Sequence, residues 1–184
     1  GSVFLVFAGI IWNLAITFGL LGILDGHMSG HEMLEMPTEV WPALLISYLI
    51  ITFLILVIHR SRQIKETIAP QWFILAAILW FPALFLIAWN GMELNPARGT
   101  LQTVLSMWYG QSLVWLWLTP VALGAAYYLI PAILGRTIDK YYLAIFGFWC
   151  IAALAPWSVV HHLEGGPVPM WIPAIGTVMS IAMV

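Results

Sequence analysis

The residues best suited to chemistry are His161 and His162, adjacent in the stretch V-V-H-H-L-E-G-G-P. Two neutral imidazoles can share a transition metal. Neighbouring helical positions diverge by about 100°, so both rings reach one metal only off the side of a helix or where the helix loosens. The plain alternative is two interfacial histidines meeting water and lipid headgroups. Gln111, in W-Y-G-Q-S-L-V, is a second candidate. Its amide oxygen accepts a hydrogen bond or weakly coordinates a metal, although Gln within a membrane also bonds between helices. His27 and His31 are four residues apart, with Glu32 following. On a helix that spacing would put two metal ligands on one face, but the Gly-rich segment reads as a solvated loop. His59 abuts Arg60 and Arg62, where an interfacial role suffices. Glu93, near Asn95, Pro96 and Arg98, reads as a solvated loop residue. Asn13, Thr17, Ser47 and Thr52 read as polar residues of helix packing. The sequence carries no phosphate-binding Gly-rich loop, serine triad or zinc-protease motif.

The elements that must position these residues are membrane helices. Of 184 residues, 62% are hydrophobic and 8% charged, and the mean hydropathy is +0.98. A soluble domain carries about a quarter charged residues, and a water-exposed surface of this size cannot hide so much apolar area. The net charge of -2 gives no footprint for a nucleic-acid partner. The single cysteine, Cys150, has no partner for an intrachain disulfide. The 11 Trp suit either membrane interfaces or cofactor surroundings.

Uncharged runs cover Val3 to Leu24, Val40 to Ile58, Gln71 to Trp89, Gly99 to Gly135, Tyr141 to Val160, and Gly165 onward. A span needs about 20 apolar residues. The expected fold is therefore all-α, a polytopic transmembrane helical bundle of about six spans, forming a single membrane domain over residues 1–184. The fourth run is too long to lie wholly in the bilayer, so its membrane part is placed at Leu105 to Ile130, bent by Pro120. The runs lack the alternation and even turn spacing of a barrel, which argues against sheets. Mid-membrane carboxylates are absent, which argues against an acidic ion-coupling relay. The start at Gly1-Ser2 and the apolar end at Val184 are expected to mark an internal fragment, and no signal peptide is read.

Orientation follows from the basic residues. Arg60, Arg62 and Lys65 follow the second span, Arg136 and Lys140 the fourth, and only Arg98 lies on the other side. The positive-inside rule places the Arg60 and Arg136 loops in the cytoplasm. His161 and His162 then lie toward the outer side, and Gln111 lies at a similar depth.

The run from Trp108 to Pro131, W-Y-G-Q-S-L-V-W-L-W-L-T-P-V-A-L-G-A-A-Y-Y-L-I-P, resembles the sixth helix of subunit I of heme-copper oxygen reductases. It looks closest to the C family, the cbb(3)-type cytochrome c oxidases. Tyr141, Leu143, Phe148-Trp149, Trp157 and His161-His162-Leu163 fit the seventh helix, and Pro169 and Trp171 open the eighth. The loop G-H-M-S-G-H-E-M-L-E-M-P is also similar. The resemblance covers nearly the whole chain, as helices three to eight of a twelve-helix subunit.

It implies that His161 and His162 are copper ligands facing an active-site heme iron. It also implies low-spin and high-spin heme plus copper in the full-length protein, with the heme ligands on helices two and ten outside this chain. The implied partners are cytochrome c-type subunits, oxygen as substrate and the lipid bilayer of a bacterial inner membrane. The implied reaction is electron transfer from cytochrome c to oxygen with proton translocation.

Three positions depart from the family pattern. Gln111 stands where the third copper-ligating His is expected, and an amide is a poorer copper ligand than imidazole. Ala155 stands where C-type members carry a Tyr linked to that His. Ala144 replaces a Ser on the proton route that includes Tyr141. Trp115 stands where nitric oxide reductases would be expected to add an acid. A divergent relative that reduces nitric oxide or another small molecule, or a non-catalytic membrane paralogue, is the alternative.

Overall fold

The computed structural model describes residues 2–63 and 66–183. Lys65, one of the basic residues counted above, lies outside them, as do Gly1 and Val184. Seven α-helices are found among the described residues: α1 (Ser2–Leu24), α2 (Trp41–Ser61), α3 (Ala69–Trp89), α4 (Thr100–Leu113), α5 (Thr119–Leu134), α6 (Tyr141–Ser158) and α7 (Trp171–Met183). Among the described residues there is no strand. This is the fold expected of apolar runs in lipid, where a helix satisfies every backbone polar group within its own segment.

Among the described residues, five stretches are long and apolar enough to cross a membrane: Val3–Leu24, Thr38–Ser61, Ala69–Leu94, Thr100–Leu134 and Tyr141–Leu163. The run from Gly165 onward forms a turn-rich segment and then α7, a shorter apolar helix of 13 residues. The fourth stretch is continuous over 35 residues. At the helical rise of 1.5 Å that is about 52 Å, longer than the roughly 30 Å hydrocarbon core.

The chain divides into two compact units, residues 1–65 and 66–184. In the first, α1 packs on α2. Ser47, fully buried, donates its hydroxyl to the Ala8 carbonyl at 2.7 Å, and Trp12 meets Tyr48 with ring centroids 6.5 Å apart. Of the four small polar residues expected in helix packing, only Ser47 bonds across helices. Asn13, Thr17 and Thr52 donate to carbonyls four residues back on their own helices, at 2.7, 2.8 and 2.9 Å. Asn13 and Thr17 are exposed, whereas Thr52 is buried. A hydroxyl or amide one turn from a carbonyl finds that partner without a second helix.

In the second unit α3 is the central helix. Its apolar window is 44% buried, against 22% and 33% for the Thr100–Leu134 and Tyr141–Leu163 stretches. It packs on α4, α5 and α6 through Phe73, Ala77, Phe81, Leu84 and Phe85, spaced for one helical face. Phe73 stacks on Tyr127 at 5.4 Å and meets Phe148 edge-on at 5.3 Å. Trp80 stacks on Phe148 at 5.8 Å, and Phe81 lies 4.6 Å from Trp117. Several of the tryptophans therefore build the interhelical core.

Two π turns interrupt this unit. One, Val114–Leu118, lies between α4 and α5, with the Thr119 amide bonded to the Val114 carbonyl. Pro120 follows it. A proline supplies no N–H and its ring crowds the carbonyl four residues back; the wider turn just before it is where the expected perturbation of the helix is found. The other, Asn90–Leu94, extends α3. It carries Glu93, which is half-buried on this helical extension rather than in a solvated loop. At the far end of α5, Gly135 closes the helix with φ 62°, and the Arg136 amide bonds back to the Pro131 carbonyl at 3.2 Å. The positive φ is the left-handed cap that glycine adopts without a Cβ clash.

Candidate metal centre

The α6 helix ends at Ser158, and the chain continues as a 3-10 turn, Val159–Leu163, that carries both histidines. The departure from α geometry is a tightening, where a loosening was the expected way to bring adjacent rings together. The outcome is still convergence: the His161 and His162 ring centroids lie 3.9 Å apart, with the rings tilted by 36°. Val159 and Leu163 flank the pair with buried apolar side chains. His161 is half-buried and His162 exposed.

His161 is further fixed by a short contact from its Nδ1 to the Ser158 carbonyl. A carbonyl can only accept, so the ring nitrogen donating in this contact is Nδ1, and in a neutral ring Nε2 would be the atom open to a metal. This is the arrangement by which a backbone oxygen selects the metal-binding tautomer of a histidine. Ser158 itself is buried, its hydroxyl donating to the Ala155 carbonyl at 2.9 Å. The role of the Ser158 carbonyl was not legible beforehand, because a backbone acceptor leaves no mark in residue type.

The turn packs against α4 and α7. The helix bearing Gln111 is thus a neighbour of the His pair, and Gln111 is half-buried on it. Beside Gln111, Tyr109 and Ser112 are both about 1% exposed. The Ser112 hydroxyl has no hydrogen-bond partner among the described residues, an uncommon condition for a buried polar group. Ala155, where the resemblance expects a Tyr, is buried at 1% exposure. Among the described residues no group of three or more His, Cys, Asp or Glu side chains could hold a metal.

The other candidates do not converge. His27 and His31 lie outside any helix, so their spacing defines no face. His27 contacts Asp25 at 3.3 Å, both largely exposed. Ser29 organises this loop, its hydroxyl donating to the Leu34 carbonyl and accepting from the His31 amide. His59, on the last turn of α2, accepts from the Arg62 guanidinium.

Residues 2–184 match the model of the family described as cytochrome c and quinol oxidase polypeptide I. The chain belongs to this family. Individual relatives agree at low identity. The chain is 27% identical over 183 residues to the cbb3-type cytochrome c oxidase subunit CcoN1 of Stutzerimonas stutzeri. It is 28% identical over 182 residues to a cytochrome c oxidase subunit 1 homolog of Agrobacterium tumefaciens (strain T37). To the cytochrome c oxidase subunit 1 of Rhodobacter capsulatus it is 27% identical over 187 residues. Each alignment covers 94% of this chain but only 38%, 33% and 34% of the respective relative. The chain thus spans about a third of the length of these members of the heme-copper oxidase subunit I family.

Proposed function

We propose that this chain carries part of the catalytic centre of a cbb(3)-like terminal oxidase. In the full-length protein, electrons would pass from a c-type cytochrome subunit to oxygen with proton translocation. Low-spin and high-spin hemes would be held by residues outside this chain. The observation that carries the reading is the His161-His162 turn: two rings with centroids 3.9 Å apart, one of them oriented through its Nδ1 by the Ser158 carbonyl.

The residues present fit copper as a two-imidazole donor set, with Gln111 as the candidate third ligand. Imidazole suits copper well and an amide oxygen poorly. Bound there, copper would supply a one-electron redox centre. The chain's own contribution is orientation and an apolar setting beneath the turn. The Ser158 carbonyl orients the His161 ring through Nδ1. Val159 and Leu163, both buried, give the turn its apolar underside. The basic loops at Arg60 and Arg136 would face the cytoplasm of a bacterial inner membrane, and the His pair the outer side.

A second reading starts from the departures in the donor set. With an amide in place of a third imidazole and Ala155 in place of a phenol, the protein would reduce nitric oxide or another small molecule, or persist as a non-catalytic paralogue. Replacing His161 or His162 by Ala in the full-length protein tests the copper assignment. The expected result is loss of copper with hemes retained; unchanged copper content would rule the assignment out.

A further inference from the structure

A close approach to the His turn is made by a residue with no side chain. Gly176 sits in the middle of α7, buried, inside the apolar run I-P-A-I-G-T-V-M. A Cβ built on it would lie 2.3 Å from the backbone nitrogen of His161, 2.8 Å from the Val160 carbonyl carbon and 2.9 Å from Val160 Cγ2. Two of these three atoms are backbone, which cannot swing aside as a side-chain tip can. Ordinary contact for such a carbon begins at 3.4 Å. Even alanine would therefore force α7 and the His161 backbone apart by roughly 1 Å, and metal-ligand distances tolerate only about 0.2 Å. Glycine at a helix interface is a known device for close backbone approach. Here the backbone approached is that of the ligand-bearing turn itself.

We infer that Gly176 is a positioning residue for the candidate copper centre: α7 seats the 3-10 turn through Gly176 and so sets where His161 and His162 present their Nε2 atoms. The inference rests on the copper reading of the His pair. Gly176 touches no metal and acts through the backbone of Val160 and His161.

The test uses the full-length protein, purified with its hemes. Copper is measured against heme after dialysis with a chelator, and copper X-ray absorption counts the bound imidazoles. Gly176→Ala is expected to lower the copper-to-heme ratio about tenfold or more, the size of effect seen for supports of metal ligands, and any copper retained should show fewer imidazoles. Gly147→Ala is the control, since a Cβ there meets nothing within 4 Å; it should leave both readouts unchanged. A Gly176→Ala protein with the wild-type ratio and imidazole count overturns the inference.

If Gly176→Ala does not accumulate with hemes, Val160→Ala gives the second arm. It removes the side chain that Gly176 lies against, and it should lower copper retention several-fold with heme unchanged. Full retention in that variant overturns the inference. If His161→Ala itself retains copper, the copper reading fails and the inference falls with it. Loss in His161→Ala with full retention in Gly176→Ala rejects Gly176 alone.

Discussion

His161 and His162 hold their ring centroids 3.9 Å apart on a 3-10 turn. Adjacent residues on such a turn diverge around the axis, so the proximity depends on how the rings rotate out from the backbone. The Nδ1 contact of His161 to the Ser158 carbonyl fixes one of them. The pairing predicts that the two histidines act as a unit. His161→Ala, His162→Ala and the double variant should each reduce copper retention in the full-length protein by about the same large factor. Effects of residues acting together are grossly non-additive. Copper-to-heme ratios of the three variants check this; a double variant much worse than either single one would separate the two side chains.

Gln111 tests the third position. It lies on the helix packed against the His turn. Gln111→His should strengthen copper retention, because imidazole replaces a weak amide donor. The measurement is the copper remaining after chelator dialysis. An unchanged value would mean that Gln111 does not face the pair.

The α1–α2 pair makes a stability prediction. Ser47 is the residue whose hydroxyl crosses to the other helix, donating to Ala8. Ser47→Ala leaves that carbonyl without its side-chain donor and should cost roughly 0.6 kcal/mol, the average for polar pairs between membrane helices. Thr17→Val, at an exposed site whose hydroxyl bonds within its own helix, should cost less. Denaturant unfolding of the purified protein in detergent compares the two.

Sidedness is open to direct labelling. In a cysteine-free background that includes Cys150→Ser, a single cysteine at Gln63 or Asp139 should react with an impermeant maleimide only from the cytoplasmic side. A cysteine at Gly165 should react from the outside. The reverse pattern would overturn the orientation drawn from the basic loops.

Much of the fold was legible because charge and proline mark boundaries in lipid as clearly as they do. The runs that begin at Val3 and Tyr141 became helices with nearly the expected starts. What composition could not give was local geometry. Whether α6 would loosen or tighten at His161 depends on how Val159, Leu163 and α7 pack, and no residue type there encodes a 3-10 turn. The π turns escaped for the same reason: Pro120 signals a perturbation but not its form. Glu93 was misplaced because a charged residue beside Asn95 and Pro96 reads as loop, while the helix in fact continues to Leu94. At the site, the His pair and Gln111 were legible as residue types. The Ser158 carbonyl and the Gly176 approach were not, since both act through backbone.

On the proposed reading, this chain helps to hold a copper beside two hemes. The most direct test of that claim is the metal and heme content of the purified full-length protein. Copper at half the molar amount of heme is the predicted result, and oxygen-reductase assays would then be the natural sequel. Two hemes without copper would contradict the claim and mark Gln111 as the sign of a lost or altered site.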